Sequence, residues 1–196
     1  ITGIRTAAAK KLSAEIRQAL EDLNFGQVRF DIEVRQTGNI TPDGADEAEF
    51  MISVNPGEDL RPLAKIASGG ELSRIMLGIK SVLANKDDTD TLIFDEIDTG
   101  ISGRTAQKVS EKMALIARSH QVICITHLPQ IAAMADIHFL IEKNIKDGFT
   151  TTSINRLSDQ EIITELARML GGSRITDLVM DNAAQMKEFA DNLKKQ

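Results

Sequence analysis

Three stretches decide the fold of this chain: ASGGELSR at residues 67–74, TLIFDEIDTGISG at 91–103 and VICITHLP at 122–129. The first runs into apolar residues spaced by three and four, which predicts a helix. The other two begin with short unbroken apolar runs, which are typical of buried parallel strands. Strands and helices that alternate in this way predict an α/β fold, with a mainly parallel sheet flanked by helices.

The helix that follows Glu71 is preceded by a serine and two glycines. Ser68 occupies the position of a helix N-cap, and Gly69 and Gly70 would let another molecule approach the backbone closely. Free N–H groups and the positive end of the helix dipole make such a terminus suited to phosphate. The alternative is an ordinary capped helix with a flexible entry. The apolar residues behind this prediction are Leu72, Ile75, Met76, Ile79, Val82 and Leu83.

The apolar run of the second stretch stops at two acidic residues, Asp95 and Glu96. Ligands of open α/β sheets bind at the carboxyl ends of the strands. There Asp95 could hold Mg²⁺ through water, and Glu96 could orient or deprotonate an attacking water. The alternative is a strand that runs into a solvated acidic turn.

The third stretch is a second apolar run that is followed by His127. An imidazole at that position could hydrogen-bond a terminal phosphate. A single histidine after a strand is more often a structural residue, so His127 alone decides nothing. The combination of a phosphate seat, a carboxylate pair and a histidine at one edge of one sheet favours a nucleotide-hydrolysing site.

In this combination the motifs resemble those of ABC-type ATPases. SGGE before a helix is similar to their signature motif, LIFDE to the Walker B strand with its catalytic glutamate, and His127 to the switch histidine. The residues Asp98, Thr99 and Gly100 are similar to the D-loop. Transporters of this superfamily usually carry glutamine where this chain has Glu71. The motifs ASGGELSR, FDEIDTGISG and THLPQIAA, with ELARMLGG at 165–172, most resemble the RecN family of bacterial SMC-like DNA repair ATPases.

One motif of such ATPases is missing from this sequence. None of the 13 glycines begins GxxxxGK[ST], so the chain has no P-loop to hold the phosphates of ATP. The resemblance implies that an N-terminal lobe of the same protein supplies the P-loop, and that this chain is the C-terminal lobe of the ATPase head. Alone it is expected to bind ATP weakly and to be inactive.

The resemblance also assigns roles to residues and implies partners. Ser68, Gly69 and Gly70 would contact the γ-phosphate of ATP held by an opposing head, with Glu71 completing the nucleotide-binding signature, so the heads would form a homodimer. Asp95, with Mg²⁺, Glu96 and His127 would act on the nucleotide of their own head, and residues 98–100 would connect the two sites. DNA is the partner that the family implies, and the bacterial nucleoid in the cytoplasm is the implied location.

Composition sets limits on these expectations. The net charge of −6 gives no global basic field, so DNA contacts must be local or lie outside this chain. The single cysteine, Cys124, lies within an apolar run, which indicates a core residue and fits a reducing compartment. No run approaches the roughly 18 apolar residues of a membrane span. Because the chain starts at Ile1 and not at Met, we expect a fragment.

Two regions flank the central stretches. Residues 1–24 are predicted to form a helix, either the end of a coiled-coil arm or an amphipathic helix docked on the lobe at 25–196. Alternation predicts antiparallel strands at 28–35 and 48–54 joined by a mobile loop at 37–47. It also predicts strands at 137–142 and 150–157 around a turn at 143–148. Further helices are expected at 103–116, 128–135, 158–170 and 175–193.

Two other functional classes fit parts of the sequence. The first is the nucleotide-binding subunit of an ABC transporter, against which the coiled-coil-like start and the loop EIDTGISG argue. The second is a non-catalytic interaction domain of the same fold. Against it stand the intact residues Ser68, Asp95, Glu96 and His127.

Overall fold

A computed structural model describes residues 1–86, 88–146, 149–172 and 174–195. The chain is an α/β structure with parallel and antiparallel sheets, which confirms the predicted fold class. It divides into two compact units. The first comprises residues 1–101 and 115–125, and the second comprises residues 102–114 and 126–196.

Two helices shape the first unit: α1 (Thr2–Asp22) and α2 (Gly69–Leu83). Helix α1 packs along one side against α2. Its first turn carries Ile4, which is 76% exposed, whereas its later turns have buried residues along one face. The prediction that residues 1–24 form a helix is therefore confirmed, and its role as the end of an arm stays a prediction. The buried residues of α1 are Ala9, Ser13, Ile16, Ala19 and Leu20.

An antiparallel sheet covers another side of α1. It consists of β1 (Arg29–Thr41), β2 (Gly44–Ser53) and the short β3 (Arg61–Pro62), in the order β1-β2-β3. The predicted mobile loop at 37–47 is wrong, because β1 and β2 continue to the pair Thr41–Gly44. Pro42 and Asp43 form a tight turn there, with Gly44 at φ 101°. The polar composition that suggested a loop belongs to an exposed hairpin.

The parallel pair consists of β4 (Thr91–Phe94) and β5 (Gln121–Cys124). These strands confirm the predicted parallel pairing of the second and third stretches. The expectation that they are buried on both faces is wrong. Leu92 and Phe94 are buried, but Ile93 is 67% exposed and Ile123 is 45% exposed. The pair therefore presents one apolar face to its surroundings in this chain.

Short 3₁₀ turns at Leu63–Lys65 and Ala84–Lys86 flank α2. Helix α3 (Gly103–Ile116) begins at a glycine with φ 50° and precedes β5 in the chain. It presents one apolar stripe with a buried serine, as the spacing of its apolar residues predicted. The buried residues of α3 are Ala106, Val109, Ser110, Met113 and Ile116.

The second unit contains a hairpin and three helices after residue 126. The elements are α4 (Pro129–Ala133), β6 (Phe139–Lys146), β7 (Phe149–Arg156), α5 (Asp159–Gly171) and α6 (Asp177–Lys194). The predicted turn at 143–148 is wrong for 143–146, which continue β6, and residues 147–148 lie outside the described ranges. The core of this unit lies between α4, α5 and α6 and includes Ala133, Met134, Ile162, Leu166, Ala167, Ala183 and Ala190.

Across the described ranges, no helix combines the length and the apolar character that a membrane crossing requires.

Candidate functional site

Helix α2 begins as the sequence predicted. Ser68 has an extended backbone, and its hydroxyl accepts a hydrogen bond from the Glu71 N–H at 3.4 Å. This cap satisfies one of the N–H groups that every helix start leaves without an intrahelical partner. Ser68 and Gly69 are exposed, whereas Gly70 is buried. The start of α2 is therefore open to an approaching anion at its first two residues.

The two acidic residues lie directly after β4. Asp95 accepts a hydrogen bond from the Glu96 N–H at 2.8 Å through Oδ1, which fixes the orientation of its carboxylate. The Ser73 hydroxyl of α2 donates to the Asp95 carbonyl at 2.8 Å. Both acidic side chains are exposed. The sequence order strand, Asp, Glu thus places two carboxylates at the carboxyl end of β4, within reach of α2.

Glu96 has an unusual backbone conformation. Its φ of 56° lies in the left-handed region, which costs a non-glycine residue about 1–3 kcal/mol. The Glu96 carbonyl accepts a hydrogen bond from the Thr99 N–H at 3.0 Å, so a turn holds this conformation. Strain of this kind persists only where the surrounding structure enforces it. With this backbone conformation, the Glu96 carboxylate lies beside Gly69 at the start of α2.

The start of α2 and the turn after β4 touch each other at the two glycines. A Cβ atom at Gly69 would collide with the Glu96 carboxylate. A Cβ atom at Gly70 would lie 2.9 Å from the Glu96 carbonyl oxygen and 2.9 Å from the Thr99 Cβ. The glycines therefore allow a close approach within the chain itself. Sequence reasoning missed this contact, because nothing in a linear sequence indicates that residue 70 meets residues 96 and 99.

The residues predicted as a D-loop form the continuation of this turn. Asp98 is buried, whereas Thr99 and Gly100 are exposed. The Ile101 N–H donates to the Asp98 carbonyl at 3.4 Å, and Gly100 has a φ of 74° that suits glycine. The segment is thus an ordered turn that presents Thr99 and Gly100 outward beside the start of α2.

Arg74 is a residue that sequence reasoning did not single out, although it lies in the first stretch. Its Nη1 donates to the Thr99 carbonyl at 2.8 Å and to the Ile97 carbonyl at 3.3 Å. The guanidinium also lies over the ring of Phe25, 5.7 Å from the centroid. Burial lowers the pKa of Arg74, and the nearby carboxylate of Glu71 opposes this change. The sequence signal that could have identified Arg74 is its position in the predicted helix, three residues after SGGE.

Cys124 ends β5 in the same unit. Burial, with smaller contributions from the negative charges of Asp98 and Asp95, raises the pKa of its thiol to about 12. A thiol with this pKa stays protonated at neutral pH and is a poor nucleophile and metal ligand. Cys124 is half-buried and is not one of the buried core residues, so the prediction of a core residue is wrong for this chain.

His127 lies beyond the strand that was expected to end at it. Strand β5 ends at Cys124, and His127 is an exposed residue of the segment that leads to α4 in the second unit. Its placement beside Asp95 and Glu96 therefore stays a prediction.

The carboxylates of the site suit a magnesium ion that is bound jointly by the protein, water and substrate phosphates. They do not suit a metal that is bound by protein side chains alone. Among the ranges that the structure describes, no three His, Cys, Asp or Glu side chains are grouped to hold a metal. Mg²⁺ usually binds one or two carboxylates together with waters and substrate phosphates. Asp95, with its carboxylate oriented and exposed, can supply the protein part of such a set.

Comparison with curated proteins finds DNA repair proteins RecN from several bacteria. The chain is 44% identical to the DNA repair protein RecN of Bacillus subtilis, over 99% of this chain and 36% of that protein. It is also 44% identical to the RecN of Vibrio cholerae, over 93% of this chain and 33% of that protein. The chain spans about a third of the length of these relatives. No family model matches. The resemblance that the motifs predicted is confirmed.

Solved structures with a similar fold are heads of SMC proteins. One is an Smc head domain with a coiled coil and joint from Pyrococcus yayanosii, with a TM-score of 0.55 at 18% identity. It is matched over 96% of this chain and 30% of that chain. Another comes from work on ATP-driven dimerization and DNA-stimulated activation of SMC ATPases, with a TM-score of 0.50 at 17% identity. It covers 89% of this chain and 100% of that chain. At these identities the similarity shows the fold.

Proposed function

This chain is related to the RecN DNA repair proteins over nearly its whole length, and on that premise we propose that it is the C-terminal lobe of an SMC-like ATPase head. The complete protein hydrolyses ATP between two engaged heads. Engagement and release of the heads drive the binding and tethering of DNA during double-strand break repair and recombination. The contact between the start of α2 and the turn after β4 carries this proposal.

That contact places the expected phosphate-binding helix start next to the expected catalytic glutamate. The open N-terminus of α2, with Ser68 and Gly69 exposed, suits the γ-phosphate of a nucleotide held by an opposing head. Glu96 lies against Gly69 and belongs to the site of its own head. One turn therefore touches both nucleotides of an engaged pair, which links hydrolysis at one site to the phosphate contact at the other.

The roles of the acidic residues follow from their positions. Asp95, held by the Glu96 N–H, orients towards the carboxyl end of β4 and would hold Mg²⁺ there through water. The ion, when bound, neutralises charge on the β- and γ-phosphates. Glu96 accepts a proton from the attacking water or positions it for in-line attack on the γ-phosphorus. The family pattern assigns His127 a contact with the γ-phosphate of the same nucleotide.

Loss of the γ-phosphate removes the contact that holds the heads together. ATP can favour the engaged dimer only to the extent that it binds that state more tightly than the separated heads. Because residues 68–70 contact the phosphate of the opposite head, their contribution exists only in the engaged state. Hydrolysis then releases the heads, and the arms that begin at α1 transmit the change to DNA.

The partner lobe has a place to bind on this chain. The exposed face of the parallel pair carries Ile93, Ile123 and Ile125, which are 67%, 45% and 50% exposed. An apolar sheet face of this kind is typically covered by another layer of structure. We assign it to the N-terminal lobe that supplies the P-loop, which also explains why this chain needs no P-loop of its own.

The substitution Glu96→Gln in the full-length protein tests the proposal. Removing a general base typically costs a factor of about 10²–10⁴ in rate, so kcat should fall in that range while ATP still binds. Head engagement should then persist in ATP, as measured by crosslinking or by size-exclusion chromatography with light scattering.

A matched control is Glu188→Gln on α6, which removes the same charge at an exposed position. It should leave turnover unchanged. If Glu96→Gln turns over ATP at the wild-type rate, Glu96 does not have the assigned role. If the wild-type full-length protein hydrolyses no ATP, the non-catalytic alternative is correct.

A further inference from the structure

Three segments that are distant in sequence meet at one buried side chain. Arg74 belongs to α2, Ile97 and Thr99 belong to the turn after β4, and Phe25 follows the end of α1. The Arg74 side chain is buried, with 8% of the residue exposed, and Phe25 is 9% exposed. Burying a guanidinium destabilises the folded state unless its N–H groups donate hydrogen bonds. These contacts therefore determine the position that the Arg74 side chain can occupy.

The contacts of Arg74 are made to backbone groups of the turn. It donates to the carbonyl oxygens of Ile97 and Thr99, which flank Asp98. Carbonyl oxygens move only when the backbone moves, so these two bonds fix the position of the turn relative to α2. Both bonds leave one nitrogen, Nη1, whose N–H groups point in fixed directions in the guanidinium plane, whereas a lysine ammonium rotates on a flexible stem and is more strongly hydrated.

Helix α1 is joined to the same assembly at a second place. Gly78, one helical turn after Arg74, lies so close to α1 that an added Cβ atom would be 2.7 Å from Leu20 Cδ2. Phe25 is tied to α1 by its N–H, which donates to the Leu20 carbonyl at 3.1 Å. A displacement of the end of α1 would therefore move both Phe25 and α2.

We infer that Arg74 is a positioning residue for the proposed ATPase, and that it holds the turn at 97–99 in register with α2 and with the end of α1. The inference rests on the proposed function, because it concerns the rate of the same hydrolysis. The Arg74 side chain is buried and is not presented at the surface. It acts through the turn that carries Asp98 and Thr99 and that begins at Glu96.

The experiment compares Arg74→Lys, Arg74→Met and the control Arg118→Ala in the full-length protein. Arg118 is exposed and lies outside the contact, so its loss should leave turnover unchanged. Lysine keeps the charge but loses the planar donors with fixed directions, and methionine keeps the apolar stem alone. We expect kcat to fall about 10-fold for lysine and further for methionine, with KM for ATP changed less than 3-fold.

Hydrogen exchange separates positioning from general stability. Both variants should speed exchange at the Thr99 and Ile101 amides, which the turn protects, about 10-fold or more. Exchange in the hairpin of β1 and β2 should stay unchanged. An unchanged kcat for Arg74→Met would overturn the inference, as would equal increases in exchange throughout the first unit. If methionine prevents folding, the lysine variant decides by the same two measurements.

Glu96→Gln distinguishes the failure of this inference from the failure of the proposed function. If Glu96→Gln is inactive and Arg74→Met is fully active, only the inference about Arg74 is wrong. If Glu96→Gln retains wild-type turnover, the proposed function itself is wrong.

Discussion

At the scale of single residues, the site depends on glycines for contacts within the chain. Gly70 is buried where the start of α2 meets the carbonyl oxygen of Glu96 and the side chain of Thr99. The nearest atoms are mostly backbone or close to it, so they cannot rotate away as the end of a long side chain could. Gly70 is therefore required by packing as well as by any ligand.

We predict that Gly70→Ala destabilises the chain by about 1–3 kcal/mol, the usual range for added atoms in a packed interior. The measurement is the free energy of unfolding in urea. Gly3→Ala is a matched control, because Gly3 is the second residue of α1 as Gly70 is of α2, and nothing lies within 4 Å of its would-be Cβ. The control should change stability by less than about 0.5 kcal/mol. Equal effects of the two substitutions would contradict the packing argument.

At the scale of elements, α1 and α2 pack closely because Gly78 has no side chain. The Cβ of any other residue would lie 2.7 Å from Leu20 Cδ2 and 3.5 Å from Leu23 Cδ1. Leu20 and Leu23 are 0% and 1% exposed, so neither can turn into solvent. The distance between the two helices is thus set at this glycine.

Gly78→Val should destabilise the chain by about 1–3 kcal/mol. Gly78→Ala should come close to neutral, because alanine gains about 1 kcal/mol of helix propensity over glycine and offsets part of the crowding. In a double-mutant cycle with Leu20→Ala, the valine should become less harmful, with a coupling of about 0.5–3 kcal/mol. Additive free energies of unfolding would show that Leu20 does not limit the approach.

The elements also show how far sequence patterns reach. Caps and local periodicity predicted α2 well, since Ser68 and the apolar spacing act within one helix. The antiparallel pair was predicted, but its continuation through 37–47 was missed because glycine, proline and aspartate are common both in loops and in tight turns. Arg74 was missed for a different reason. Its partners are carbonyl groups of the turn after β4. Every residue has a backbone carbonyl, so the sequence does not show which of them accept a hydrogen bond from Arg74. Contacts between distant segments, such as Gly70 with Thr99, need the fold.

At the scale of the whole molecule, one group of ionic contacts connects distant segments of the second compact unit. In the second unit, Lys187 donates to the Ala135 carbonyl at 3.1 Å and pairs with Asp191 at 2.7 Å. Lys194 pairs with Asp136 at 2.8 Å and with Asp191 at 3.1 Å. His138 lies beside this group and its Nε2 is 3.3 Å from the Ala135 carbonyl oxygen. These contacts join the C-terminal half of α6 to the segment before β6.

Burial, with a smaller effect of Lys187 and Lys194, lowers the pKa of His138 below its usual 6.5, although the Ala135 carbonyl and Asp191 oppose this. The unfolded chain therefore binds more protons than the folded chain once the pH falls to the ordinary histidine pKa. The contribution of His138 to stability is complete above pH 6.5 and decreases as the pH falls through that value towards the lowered pKa. Asp191 titrates below its usual 3.8, because the bonds from Lys187 and Lys194 outweigh its burial, so it does not affect this range.

We predict that acidification from pH 7.5 to 5.5 destabilises the second unit more than the first. Hydrogen exchange at α6 should accelerate relative to exchange in the hairpin of β1 and β2. His138→Gln keeps an N–H that can donate to the Ala135 carbonyl but does not titrate, so it should remove most of this difference while stability at pH 7.5 changes little. Since the cause is a single proton, the exchange rates of the wild type should follow one titration step. A pH dependence that is the same in the Gln variant would assign the acid sensitivity to other groups and would show that His138 is not its source.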